Sequence, residues 1–240
     1  NIGTGGWVYS FDANAFYSWL KVFGGGTGKE SGSDAGLANI QNIDGSNYLF
    51  EMFLPQNNCA WRGRQSVPFD YFANRQAIAY SGSMEDILVQ EQVIDLSEVK
   101  DAWTVIPYPA SSGKPVVIIN GESYGILSKD DERALATWLF IKWMTQPRNQ
   151  AKVVETTFSL PLSAAALDQL GEFRINQPAW SDALTYLPFM EPTPSYSDWL
   201  VMQDIFSDIS WQLTQFTTAR DEIPLMWKNA DDLLQEMRSN

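Results

Sequence analysis

The sequence predicts an α/β fold in which a mixed sheet is flanked by helices, and three observations carry that prediction. Short apolar or β-branched runs recur at Gln76–Tyr80, Trp103–Ile106 and Val116–Ile119, and Gly82-Ser83, Pro107 with Pro109, and Asn120-Gly121 respectively stop them. Longer stretches with apolar residues at helical spacing separate and follow these runs. Between Trp103 and Leu167 the order reads strand, Pro-containing connector, strand, turn, long helix, loop. That alternation is what an α/β fold requires.

Taken in order, Ala13–Phe23 places Phe16, Trp19, Leu20 and Phe23 at helical spacing, and Gly24-Gly25-Gly26 ends the helix. The glycines are no phosphate loop, because no Gly-Lys-Ser/Thr follows and no βαβ fingerprint surrounds them. Lys29–Gly36 reads as a polar turn. Asp44–Leu54 is a second helix, with Ser46 as an alternative cap and Tyr48, Leu49, Met52 and Phe53 on its buried face. Gln56–Pro68 is a loop holding Cys59, Trp61, Arg62 and Arg64, and Phe69–Asn74 makes one or two helical turns. Cys59 cannot form an internal disulfide, since the chain has a single cysteine, and it reads as a small buried hydrophobe.

Tyr124–Leu127 resumes an apolar run. Ser128 or Asp130 then caps a long helix whose first turn carries Asp131 and Glu132, favourable beside the positive end of the helix dipole. Ala134, Leu135, Trp138, Leu139 and Ile141 leave that helix little polar surface, which predicts burial on more than one side. Pro147 stops it, and a loop follows. Ser159–Leu162 is extended around Pro161, Ala164–Leu170 is a short helix capped by Ser163, and Gln177–Leu187 is another with Pro178 at its start. Glu191–Tyr196 is a Pro-rich crossing loop. Trp199–Phe216 is a long helix with Leu200, Ile205, Ile209 and Leu213 inward, and Ile223–Met237 is the last helix.

Composition narrows the function. The formal net charge is -13, so nucleic acid, which needs a basic stripe, is an unfavourable partner. Histidine is absent, which removes the commonest general base, metal ligand and pH switch together. Serine hydrolysis lacks the histidine of its triad, zinc chemistry lacks its usual ligands, and no EF-hand calcium loop is present. Ten Trp, nine Tyr and thirteen Phe exceed what a core of this size needs, and aromatic faces stack well on the apolar faces of sugar rings. Paired carboxylates among aromatics also describe a glycoside hydrolase, for which Asp12, Glu85, Asp86, Glu122 and Asp198 are candidates.

The order Trp103-x-Val105-x-Pro107-x-Pro109, Gly113-Lys114-Pro115, Gly121-x-Ser123-x-Gly125-Ile126, Ser128-Lys129-Asp130, then Ala134-Leu135-Ala136-x-Trp138-x-Phe140-Ile141-Lys142-Trp143-Met144-Thr145-x-Pro147-x-Asn149-Gln150 and Leu160-Pro161 resembles the sugar-type extracellular solute-binding proteins of bacterial ABC importers. The resemblance covers almost the whole chain but maps onto the C-terminal portion of that family. It implies the second lobe of a two-lobed periplasmic-binding-protein-like fold. Residues 1–109 and 159–240 would belong to that lobe, and residues 110–158 to an excursion into the first lobe. The hinge would be crossed near Pro107–Pro109 and near Ser159–Pro161.

The resemblance further implies a binding protein rather than an enzyme, with no cofactor and no metal. It would capture a sugar or oligosaccharide outside the membrane, periplasmic or lipid-anchored through a missing N-terminal segment, and deliver it to the permease subunits. A glycoside hydrolase or a carbohydrate-binding domain with an aromatic-lined cleft is the alternative. Carried over by position, the ligand contacts are Trp7 at the lobe entrance, Ser83 and Met84 after a strand, the Gly121-Glu122-Ser123 turn, Tyr196, and Trp199 as an aromatic platform. Ser83-Met84 stands where many members have a stacking Trp, and backbone amides near Met84–Asp86 would face ligand oxygens. With most of the first lobe missing, the apolar helix is expected to dock on its own lobe or on another copy of the chain, so the fragment self-associates.

Overall fold

The computed structural model describes residues 6–28, 36–62, 68–110, 113–121, 123–127, 130–195, 197–215 and 217–239. In chain order the elements are β1 (Trp7–Val8), α1 (Ala13–Val22), α2 (Ile40–Phe53), β2 (Ala60–Trp61), α3 (Phe69–Ala73), β3 (Ala79–Tyr80), α4 (Asp86–Leu96) and β4 (Val117–Ile119). There follow α5 (Asp131–Met144), α6 (Pro147–Thr157), α7 (Ala164–Leu167), α8 (Gly171–Asn176), α9 (Pro178–Ala183), β5 (Met190–Pro192), α10 (Trp199–Leu213) and α11 (Ile223–Ser239). They form two compact units: unit 1 is 1–82, 107–119 and 188–240, and unit 2 is 83–106 and 120–187. The chain passes between the units after residues 82, 106, 119 and 187.

Unit 1 carries two small sheets. In the first, β1 lies between β2 and β3, and both pairings are parallel, with Trp7 opposite Ala60 and Ala79. In the second, β4 and β5 are parallel. The antiparallel component is the single bridge between Tyr108 and Val116, next to the expected Trp103–Ile106 strand, which takes no strand conformation. Tyr124–Leu127 is likewise exposed and unpaired into any strand. With no partner edge beside it, an apolar run has nothing to complete its backbone hydrogen bonds as a strand.

Helices α1, α2, α10 and α11 pack around Phe16, Leu20, Leu49, Phe206 and Trp227, all fully buried. Asp12 caps α1 by accepting the Asn14 N–H at 3.0 Å. The triple glycine ends it: Gly24 takes φ +78°, and a Cβ on Gly25 would sit 2.3 Å from Asn42 Oδ1. Asn42 is wholly buried and satisfied. Its Oδ1 accepts the Gly26 N–H at 2.8 Å, and its Nδ2 donates to Gly26 O at 2.8 Å and Leu37 O at 2.9 Å. The glycines therefore wrap a buried amide. Helix α2 begins four residues before the expected Asp44, because Asn39 caps it by accepting the Asn42 N–H at 2.9 Å.

Two outward residues correct the sequence reading here. Leu200 and Tyr48, both assigned to buried helix faces, are exposed. Cys59 is exposed too, because the chain turns at Asn58 with φ +47° and carries the thiol to the surface just before β2.

Unit 2 packs α4, α6, α7, α8 and α9 around Ile87, Val154, Phe158, Leu170 and Trp180. Pro147 ends α5 as expected, but it also opens α6 at its first turn, where a missing N–H costs nothing. Asn149 and Gln150 donate back to the Trp143 and Met144 carbonyls at 2.7 and 3.2 Å, so one corner serves both helices. Phe158 closes α6 in the left-handed region at φ +59°, and the Trp180 Nε1–H holds its carbonyl at 2.8 Å. Helix α5 is the main correction. None of its residues is buried, and Leu135, Trp138, Leu139, Phe140 and Trp143 are each more than half exposed. Its apolar surface runs around the cylinder, and a core inside unit 2 offers one face at most.

Candidate functional site

The strands β1, β2 and β3 point the same way, so their carboxyl ends lie together, followed by Tyr9-Ser10-Phe11, Arg62 and Ser81. In open parallel sheets ligands bind beyond the carboxyl ends of the strands. Helix α10 adds a residue there from its outer face. The Trp211 indole, half exposed at 50%, carries the Arg62 guanidinium at 4.6 Å from its ring centroid. Phe11 lies edge-on to Trp211 at 5.5 Å and 5.9 Å below the same guanidinium, with Phe53 behind it at 6.4 Å. The result is an aromatic ledge with an arginine on it. Arg62 makes no hydrogen bond or ion pair among the described residues, and its guanidinium carries five N–H donors.

Next to the ledge in sequence and packing is a hydrogen-bonded polar layer. Ser81 Oγ accepts from Trp7 Nε1 at 3.0 Å and from the Tyr108 hydroxyl at 2.8 Å. The Tyr9 hydroxyl meets Ser210 Oγ at 3.2 Å. Trp7 is edge-packed between Tyr9 and Tyr108 and tilted on Trp19 at 5.5 Å. Burial pushes the Tyr108 hydroxyl up to about 12, against the lowering effect of Ser81 and with a small push from Asp12. Burial also raises Tyr9 well above its ordinary value, with Tyr108 adding to it. Both phenols stay neutral at any physiological pH, and the Tyr108 hydroxyl fixes its ring by donating to Ser81.

The residues expected from sequence fall in different places. Trp7 is in this layer, partly buried, and donates to Ser81. Trp199 is 9% exposed and packs edge-on against Tyr17 at 5.0 Å and Phe206 at 6.1 Å, so it is a core residue of unit 1 with little ring left for a ligand. Ser83, Met84 and Ser123 belong to unit 2. Ser83 and Ser123 are exposed. The Ser83 N–H is bonded to Asp86 Oδ2 at 2.7 Å, and Met84 packs against the unit 2 core as a plug. Glu122 and Tyr196 lie outside the described residues.

Sequence reasoning missed Phe11, Arg62, Ser81, Tyr108 and Trp211. A large aromatic on the outer side of the α10 periodicity was the one available signal for Trp211. Three of the five carboxylates weighed for glycoside cleavage make structural contacts. Asp12 caps α1, Asp86 binds the Ser83 amide, and Asp198 pairs with Arg238 at 2.7 Å. Among the described residues no group of three His, Cys, Asp or Glu side chains is placed to hold a metal ion, and no helix is long and apolar enough to cross a membrane.

A second concavity of unit 1, about 350 Å³, is lined by Lys21, Lys114 and the β4 and β5 flanks. Glu191 on its wall already pairs with Lys21 at 3.0 Å. Its charge is thus largely internal, and the ledge is the stronger candidate.

A small parallel sheet with an aromatic ledge at its carboxyl end, packed by helices, is an architecture that suits a solute-binding lobe. Residues 2–187 match the family of bacterial extracellular solute-binding proteins, and the chain belongs to that family. No curated protein matches it. Among solved structures it is similar to the maltose/maltodextrin-binding domain MalE from Bdellovibrio bacteriovorus bound to maltotriose, with TM-score 0.74 and 15% identity over 100% of this chain and 61% of that one. Maltose-bound MalE3 of T. maritima gives TM-score 0.72 and 19% identity over 96% of this chain and 61% of that one. UgpB from Mycobacterium tuberculosis in complex with glycerophosphocholine gives 0.71 and 18%, over 100% and 59%. The chain thus spans about three-fifths of the length of the structures it resembles.

Proposed function

We propose that this chain forms part of the substrate-binding component of an ABC importer, which captures a sugar or oligosaccharide outside the membrane and hands it to the permease subunits. The observation that carries this reading is the half-exposed Trp211, with Phe11 and Arg62, at the carboxyl end of the unit 1 sheet. An indole face packs on the C–H face of a pyranose, and the arginine supplies donors to its hydroxyls. Binding needs no covalent step. The segment 110–158 is assigned to the first lobe on the family resemblance, and α5, inside it, is exposed as such a segment would be without that lobe's cover. Anchoring of the intact protein by a lipid at its N-terminus belongs to the same proposal.

The test is a titration of mono- and disaccharides followed by tryptophan fluorescence. A lobe that retains half of the interaction energy of a micromolar site would bind with a dissociation constant on the order of a millimolar. Trp211→Ala is expected to abolish the response with the circular dichroism unchanged, whereas Ser83→Ala is expected to leave it. A sugar response that survives Trp211→Ala in the folded protein would place the site elsewhere.

A further inference from the structure

Resting on the reading that the ledge receives a saccharide, we propose that the ligand bears an anionic group, a carboxylate or a phosphate carried on the sugar, and that Arg62 binds it.

Several described cations, Lys142 and Lys152 among them, lack a carboxylate partner, and Arg62 is set apart from these by its packing on two aromatic rings. Lys21, Arg133, Arg220, Lys228 and Arg238 each pair with a carboxylate at 3.5 Å or less. In a chain with 29 acidic and 16 basic residues, carboxylate partners are plentiful. Arg62 nevertheless packs on Trp211 at 4.6 Å and on Phe11 at 5.9 Å, with no acceptor among the described residues.

The aromatic support has a geometric result. Trp211 and Phe11 hold the guanidinium against their rings, which restricts its rotamers while its N–H groups stay unengaged. That planar fork matches the two oxygens of a carboxylate or phosphate. A neutral diol can accept from the same donors, but hydrogen bonds between two charged groups are about twice as strong as neutral ones. An arginine held ready without a counter-ion favours the charged acceptor.

The chain's net charge of -13 opposes an anionic ligand at long range. At physiological ionic strength that field is screened beyond roughly 8 Å. A direct contact at Arg62 is screened far less, so the local charge decides the bound state and the global one slows the approach.

The experiment uses the whole chain and matched ligands that differ only in charge: digalacturonate against digalactose for the carboxylate, and glucose 6-phosphate against glucose for the phosphate. Affinities are read by tryptophan fluorescence and by calorimetry. At least one anionic member is expected to bind about tenfold or more tightly than its neutral partner, and which pair shows the gap identifies the group.

Arg62→Gln is expected to erase that gap by weakening the anionic member about tenfold or more and the neutral member by clearly less. Arg62→Lys, which keeps the charge and loses the fork, is expected to fall between. Equal affinity for both members of both pairs in the wild type, or equal weakening of both members by Arg62→Gln, overturns the anionic ligand and leaves saccharide binding standing. No response to any of the four sugars overturns the saccharide reading and this proposal together.

Discussion

Two aromatic-rich helices of this chain have opposite fates. Helix α1 of unit 1 buries Ala13, Phe16, Tyr17, Trp19, Leu20 and Val22, whereas α5 of unit 2 carries two Trp, a Phe and two Leu and buries nothing. Both are well formed locally, each with an aspartate at its N-cap and a lysine in its last turn. The difference lies in supply. Helix α1 finds α2, α10 and α11, and α5 meets α6 at a corner. Apolar composition states a helix's demand for cover, while only the fold shows whether this chain meets it.

The largest expected contrast comes from truncating one aromatic in each helix. Phe16→Ala should destabilise the protein by about 3–5 kcal/mol. Trp138→Ala should change stability by under about 0.5 kcal/mol if α5 is solvated as seen. Urea unfolding measures both. Similar losses would mean that α5 is covered in solution, and sedimentation with Leu139→Glu as the dissociating variant would then show whether a second copy covers it.

A smaller effect is expected at the buried amide that α1 depends on. Asn42→Ala strands the Gly26 and Leu37 backbone groups and should cost about 2–3 kcal/mol. A loss under about 0.5 kcal/mol would show that water replaces the side chain there.

The two tyrosines beside the ledge give a pH signature confined to unit 1. Their folded values lie above the unfolded value of about 10, so the folded state holds the phenol protons more tightly. Their contribution is complete below about pH 10 and declines as pH rises through 10 towards 12 and beyond. Tyr108→Phe should flatten the stability profile between pH 10 and 12. An unchanged slope would mean that the hydroxyl is open to water.

The smallest contrast is at the caps. Asp12→Ala should cost about 1 kcal/mol of global stability, because α1 is part of the core. Asp130→Ala should leave the global midpoint unmoved and appear only as faster amide exchange within α5. A global loss from Asp130→Ala would join α5 to the cooperative core.

Much of this architecture was legible. Phe16, Trp19, Leu20 and Gly24 announce α1, Pro147 marks the α5 boundary, and the segment order carries the family. The unit 1 sheet was only partly legible, since β1, β2 and β3 are two residues each and periodicity has no meaning over two residues. That hid the ledge, because Arg62 reads as a loop residue until Ala60 and Trp61 pair with β1. Trp199 misled for another reason. Its place after a Pro-rich loop and at a helix start was correct, but the neighbouring rings of Tyr17 and Phe206 decide which of its faces is free.

The division of the chain has a consequence in time. Unit 1 opens with β1 and α1 and closes only with α10 and α11, whereas unit 2 is complete at Leu187. On a ribosome moving at about 5–20 residues per second, the aromatic face of α1 therefore waits roughly 10 to 35 s for α10 to emerge. Nascent chains arrested before Trp199 should be cleaved readily within α1, and protection there would refute the delay. The half that begins first is finished last, and through that interval Phe16 and Trp19 are the residues a chaperone would hold.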